Sequence, residues 1–196
     1  MSAFDSAQAQ SSVFDALVAA SRKHGAKKPI LEDQERNPLS YTDLIRASFA
    51  LGRRIAGMTQ RGEHVGVLLP SSVGVAVTFF ALHAFGRVPT MLNFTSGLRN
   101  LRSACRTAKV KRVLTAKRFI EQGKFHDIID ALTEAGVQIV YLEDVRASLG
   151  LGDKLYAVAA AALPRAFRTT VKPSEPGVVL FTSGSFGAPR GVVLTH

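Results

Sequence analysis

The chain has 196 residues, 46% of them hydrophobic, which is enough for one domain, or one and a fraction, with a real core. Its 25 Lys and Arg against 15 Asp and Glu leave a formal charge of +10, favouring acidic partners such as nucleotides, phosphopantetheine carriers, nucleic acid or anionic lipid without choosing among them. The single cysteine, Cys105, excludes an internal disulfide and a four-cysteine zinc site and makes a reducing cytoplasm the natural setting.

Residues 1–12, MSAFDSAQAQSS, lack the basic start and apolar stretch of a secretory signal and read as a loose leader. Val13–Gly25 has helical spacing, PILED is a short strand, and Ser40–Gly57 is a capped helix. Glu63–Pro70 is a Val/Leu run ended by proline and reads as a buried strand, after which Ser71 and Ser72 cap a helix. That helix, Val73–Gly86, is the longest apolar stretch. It is too short to cross a bilayer and reads as buried, which leaves surface contact with the inner face of a membrane open.

The pattern then repeats: RVPTMLNF as strand and turn, LRNLRSACRTA as helix, VKRVLTA as strand, FHDIIDALTEAG as helix with a glycine stop, VQIVYL as strand. Strands joined by helices predict an α/β fold with a doubly wound, largely parallel sheet flanked by helices. Residues 146–163 are alanine-rich and read as helical. PRAFRTTVKPSEPG is a proline-punctuated connection, and VVLF is a strand entering the last loop.

That loop lies in LFTSGSFGAPRGVVLTH, Leu180 to His196. It is not a Walker A loop, because Pro189 stands where glycine is needed and no Lys-Ser/Thr pair follows Gly191. It is not a dinucleotide fingerprint either, since GxGxxG is absent. Gly184 and Gly187 allow backbone N–H groups to turn toward an anion, Thr182, Ser183 and Ser185 add hydroxyl donors, and Arg190 adds a planar cationic fork. These residues alone fit a phosphate-binding turn or a simple turn.

The same string resembles the phosphate-loop signature of the adenylate-forming superfamily, approximately T-S-G-[ST]-[TE]-G-x-P-K-G-[VI], at Thr182, Ser183, Gly184, Ser185, Gly187, Pro189, Gly191 and Val192. SYTDL, EHVGVLLPSS, FFALHAFGRVPTMLNF and KVKRVLTAKRF resemble that superfamily's N-terminal subdomain in the usual order. MLNFTSG with VLFTSGS most resembles the branch of acyl-acyl-carrier-protein synthetases and 2-acylglycerophosphoethanolamine acyltransferases. Two positions depart from the signature: Phe186 stands at the usual threonine or glutamate, and Arg190 at the usual lysine.

The resemblance implies that residues 13–196 are the N-terminal subdomain of an AMP-binding domain, cut just after the phosphate loop. It implies an ATP-dependent ligase that adenylates a fatty acid and passes the acyl group to a pantetheine thiol, on acyl carrier protein or CoA, and onward to a lysophospholipid. Thr182, Ser183, Gly184, Ser185, Gly187 and Arg190 would hold ATP phosphates. Magnesium ligands, the adenine and ribose contacts and the catalytic lysine would lie downstream, so no catalytic residue is assigned here. The chain alone is expected to be inactive, and its uncovered sheet edge is expected to favour dimerisation or partial disorder near the last strand. Two other classes stay open: a non-catalytic nucleotide binder, and a basic module for an acidic carrier or membrane surface.

Between Arg99 and Arg118 lie eight basic residues and no acidic one. They form either a solvated face or a dock for a carrier protein or lipid headgroups; without interleaved aromatics, nucleic acid is not expected. Leu98, Leu101, Cys105 and Ala108 share a face, making Cys105 a core residue. His126, Asp127, Asp130 and Glu134 fall at helical spacing and read as an exposed polar face rather than metal ligands.

Overall fold

The computed structural model describes residues 10–33, 36, 38–182 and 189–196. In chain order the elements are α1 (Val13–His24), β1 (Pro29–Leu31), β2 (Leu39–Ser40), α2 (Tyr41–Met58), β3 (His64–Val67), α3 (Val73–Ala84) and β4 (Val88–Met91). After a 3-10 turn (Phe94–Ser96) come α4 (Leu98–Thr107), β5 (Arg112–Thr115), α5 (Lys117–Gly123), α6 (His126–Glu134) and β6 (Gln138–Tyr141). The last are α7 (Leu142–Ala147), α8 (Leu151–Ala162), α9 (Pro164–Phe167), β7 (Pro176–Thr182) and β8 (Arg190–Thr195).

Short polar side chains set the helix starts by accepting amide protons that a first turn leaves free. Ser12 Oγ accepts from Asp15 N–H at 3.1 Å, Ser40 and Asp43 form a reciprocal capping box, and Ser72 Oγ accepts from Val75 N–H. The alanine-rich stretch is helical, as expected, but in two pieces. The Asp153 carboxylate accepts the Gly150 N–H at 3.0 Å and is held by Arg54, so a fresh helix starts at Leu151.

The main sheet has the order β6-β5-β3-β4-β7-β8. Its first five strands are parallel, and β8 returns antiparallel to β7 as an edge. Both faces of its centre are covered by helices, which fits the near-continuous Val/Leu content of the strands there. Leu68 and Val113 pack with Leu101 of α4 and Ile128 and Leu132 of α6. Val65, Val67 and Leu114 pack on the opposite side with Ile55 of α2, Leu82 of α3 and Val145 of α7. Between these side chains sits Gly66, where a Cβ would lie 2.7 Å from Val113 Cγ2, so close strand pairing there requires glycine.

A third cluster joins α1, α2, α3 and α8 around Phe49, which is 0% exposed and meets Phe14, Phe85 and Tyr156 edge-on at centroid distances of 5.3, 6.1 and 6.4 Å. Gly52 allows α2 to lie against α3, since a Cβ there would stand 2.6 Å from the Ala81 carbonyl oxygen. Among the described residues no helix is long and apolar enough to cross a membrane.

Candidate functional site

Because β7 runs parallel to β4, Thr182 lies at the carboxyl edge of the sheet, where open α/β folds bind ligands. The return strand pairs Thr182 directly with Arg190, and Leu180 with Val192. Cα atoms across such a pair stand about 4.5–5.5 Å apart, so the two side chains lie on the same face of the sheet. Both residues are exposed, and among the described residues neither side chain has a hydrogen-bond or ion-pair partner. Their donors are therefore free for an anion. Ser183, Gly184, Ser185 and Gly187, with Phe186, lie outside the described residues.

Neighbouring segments of the same edge are built from other strand ends. After β4, Asn93 Oδ1 accepts from the Thr95 N–H at 2.9 Å and from its hydroxyl at 2.8 Å, shaping the 3-10 turn. Beside it a cleft of about 870 Å³ opens beyond β3 and β5, with Ser71, Ser72, Arg118 and Phe119 among its walls. The connections leaving these two strands depart to opposite faces of the sheet, which is what opens a crevice there. Sequence patterning does not find this cleft, because α5 is only seven residues long and the adjacency of β3 and β5 skips β4.

His196 stands at the other end of the sheet, since Thr195 pairs with Pro176 at the start of β7. Its Nδ1 accepts the Val13 N–H at 3.2 Å, which requires a neutral ring with its proton on Nε2. The ring also lies 5.0 Å from that of His83. His83 is 1% exposed with neither ring nitrogen partnered among the described residues, and burial, reinforced by His196, pushes its pKa down to about 3. These histidines fasten β8 beneath α1 and α3. They do not face Thr182.

His126, Asp127, Asp130 and Glu134 are all exposed on α6, as the spacing predicts. Among the described residues no group of three or more His, Cys, Asp or Glu is placed to hold a metal ion. Cys105 is buried, which pushes its thiol up to about 11, out of the reactive range.

The model of the AMP-binding enzyme family matches residues 17–196, nearly the whole chain. The chain belongs to the AMP-binding enzyme family. Relatives with known names include 4-coumarate–CoA ligase 2 of Oryza sativa subsp. japonica, 30% identical over 160 residues, covering 77% of this chain and 27% of the rice protein. A 4-chlorobenzoate–CoA ligase of an Arthrobacter species is 26% identical over 179 residues, covering 91% of this chain and 32% of that one. The chain thus spans about a third or less of these AMP-binding ligases.

Among solved structures, VinN in complex with 3-methylaspartate superposes with a TM-score of 0.75 at 25% identity, over 95% of this chain and 48% of VinN. The N-terminal subdomain of NpsA from Klebsiella oxytoca gives 0.69 at 16% identity, over 95% of this chain and 42% of that one, a likeness of fold. This member of the AMP-binding enzyme family accordingly has the fold of the N-terminal subdomain of adenylate-forming enzymes.

Proposed function

We propose that the chain supplies the phosphate-binding edge of an ATP-dependent acid–thiol ligase. In the first half-reaction a substrate carboxylate oxygen attacks the α-phosphorus of ATP, and the bond to the β-phosphate breaks, giving acyl-adenylate and pyrophosphate. In the second, a thiol sulfur attacks the acyl carbon and AMP leaves. Thr182 and Arg190, with Ser183, Gly184, Ser185 and Gly187 of the intervening segment, would hold the β- and γ-phosphates and offset charge growing on the departing pyrophosphate. Magnesium and the remaining ATP contacts would be held by residues beyond this chain.

The observation that carries this reading is the direct pairing of Thr182 with Arg190 at the carboxyl edge, with both side chains free, around the eight-position signature match. The relatives' names concern 4-coumarate, 4-chlorobenzoate and 3-methylaspartate. For this chain we assign a fatty acid, with acyl carrier protein or CoA as thiol and a lysophospholipid as later acceptor, on the likeness of MLNFTSG and VLFTSGS to the acyl-carrier-protein synthetase branch. Pyrophosphate exchange by the longer protein with fatty, aromatic and amino acids tests the substrate. Exchange with aromatic acids alone would overturn the fatty-acid assignment.

Titrating this chain with ATP tests the edge itself. Removing a charge-assisted contact with Arg190→Ala should weaken binding by about 10- to 100-fold. Phe186→Thr should tighten it if position 186 faces phosphate. Equal affinity of wild type and Arg190→Ala would remove Arg190 from the site.

A further inference from the structure

The eight basic residues between Arg99 and Arg118 do not form one surface. Arg112 is neutralised by Glu63 at 2.7 Å and donates to Gln138, and Lys117 pairs with Asp144. The Arg118 N–H donates to Glu143. Arg99, Arg102, Arg106, Lys109 and Lys111 are different: all are exposed, and among the described residues none has an ion-pair or side-chain hydrogen-bond partner.

These five line a single open groove of about 790 Å³ that follows α4 from Leu98 to the start of β5. Among its described lining residues there is no carboxylate. The floor is apolar, made by Leu98, Cys105, Val110, Leu132 and Val137. Local structure explains why Lys109 and Lys111 join the row. The N–H groups of Lys109 and Val110 close back on Arg106 and Cys105 at 3.2 and 2.8 Å, so the chain turns beneath α4 instead of leaving it.

Helix stability does not account for this charge. The first turn of α4 holds Arg99 and no acidic residue, the opposite of what the helix dipole favours, and its N-cap Gly97 offers no side chain. Five unpartnered cations around one groove repel one another, and a partner of opposite charge relieves that repulsion. Arg99, Arg102 and Arg106 are spaced along about 10 Å of helix, or two turns, which matches acidic side chains at i, i+3 and i+7 of a facing helix.

We propose that this groove receives an acidic amphipathic helix of a partner protein, the phosphopantetheine carrier that presents the thiol in the ligase reaction. The identity of the partner rests on the function proposed above; the acidic helix rests on the groove. Charge at the rim steers the encounter, and apolar side chains of the partner helix reach the floor. A flat lipid surface fits less well because the apolar residues lie at the bottom of a concavity with the charges above them. Single-stranded nucleic acid lacks aromatic rings to stack on, since none lines the groove. Cys105 at the floor is buried, and its thiol is pushed up to about 11.

The test is fluorescence anisotropy of a labelled acyl carrier protein in its apo form, without the pantetheine arm, titrated with this chain at ~50 and ~300 mM salt. We expect saturable binding that weakens with salt, and a loss of about tenfold or more in Arg102→Glu/Arg106→Glu. Exchanging two acidic residues of the carrier helix for lysine should restore affinity for that variant and weaken it for wild type. Lys117→Glu, away from the groove, should bind as wild type does. No carrier binding by wild type, or equal loss in Lys117→Glu, overturns the proposal. So does binding to phosphatidylglycerol vesicles that disappears in the double variant while the carrier fails to bind. Failure of the ligase reading shows separately, as absence of acid-dependent pyrophosphate exchange by the longer protein.

Discussion

Strands β3 and β8 belong to the same sheet and have similarly apolar sequences, HVGV and RGVVLT, but meet different surroundings. Residues 65–67 of β3 are buried, with helices on both faces and strands on both sides. Every residue of β8 is exposed, and Val192, Val193 and Leu194 present apolar surface. Apolar content therefore marks where a strand will be covered, but not by what. The centre of the sheet is covered by this chain's own helices. The β8 edge is left exposed among the described residues.

The largest effect that can sharpen this contrast is at the helix-layer core. Phe49→Ala removes a ring packed against three others and should cost about 3–5 kcal/mol by urea unfolding. A loss near that for an exposed site would mean α1 and α8 are not docked as described.

Next comes the histidine pair. His83 stays neutral in the folded chain down to a pKa of about 3, whereas in the unfolded chain it titrates near 6.5. Its folded value is depressed, so below pH 6.5 the unfolded state binds the extra proton, and stability falls by about 1.4 kcal/mol per pH unit until pH 3. His83→Leu removes this slope, and because neither ring nitrogen is hydrogen-bonded among the described residues it should leave stability at pH 8 nearly unchanged. An unaltered acid limb in urea melts of the variant would exclude a buried neutral His83.

A smaller acid dependence belongs to Asp153. The Gly150 N–H and, after it, Arg54 and Arg53 hold its carboxyl below the usual value of 3.8. Its stabilising contribution is complete above that value and fades as pH falls through the lower folded one. Asp153→Asn should flatten the corresponding part of the melt between pH 5 and the acid end, and fray the start of α8 in hydrogen exchange. The smallest effect is at the open edge: Val193→Ala, at 53% exposure, should change monomer stability by less than about 0.5 kcal/mol. If the edge dimerises, Val193→Lys should abolish the concentration dependence of sedimentation, and a wild type that is monomeric at every concentration would count against self-association.

Much of the fold was legible because strands and helices have different periods here. The Val/Leu runs before Pro70 and after Gly136 could only be buried strands between helices, and Ser40 and Ser72 announced two helix starts, whereas the Ser12 cap lay hidden in what read as a loose leader. The order β6-β5-β3-β4-β7 was not legible, since period says that a strand is buried but not beside which neighbour. Helix α5 was hidden by its length, and β8 by a glycine and a continuous apolar run that lacks alternation. At the candidate site the signature residues were readable, whereas the facing of Thr182 and Arg190 is set by hairpin register. The basic stretch looked uniform because what divides it is remote: Glu63 lies 49 residues from Arg112, and Asp144 27 from Lys117.

The bond from the Val13 N–H to the His196 ring joins positions 183 apart. During synthesis the ribosome releases Val13 at the beginning and His196 only after both sheet halves have emerged. Until His196 arrives, the Val13 N–H lacks the ring that accepts it and His83 lacks its neighbouring ring. An early segment is thus locked in place by a late one, so a chain ending before His196 should expose α1 to proteases more than one that includes it.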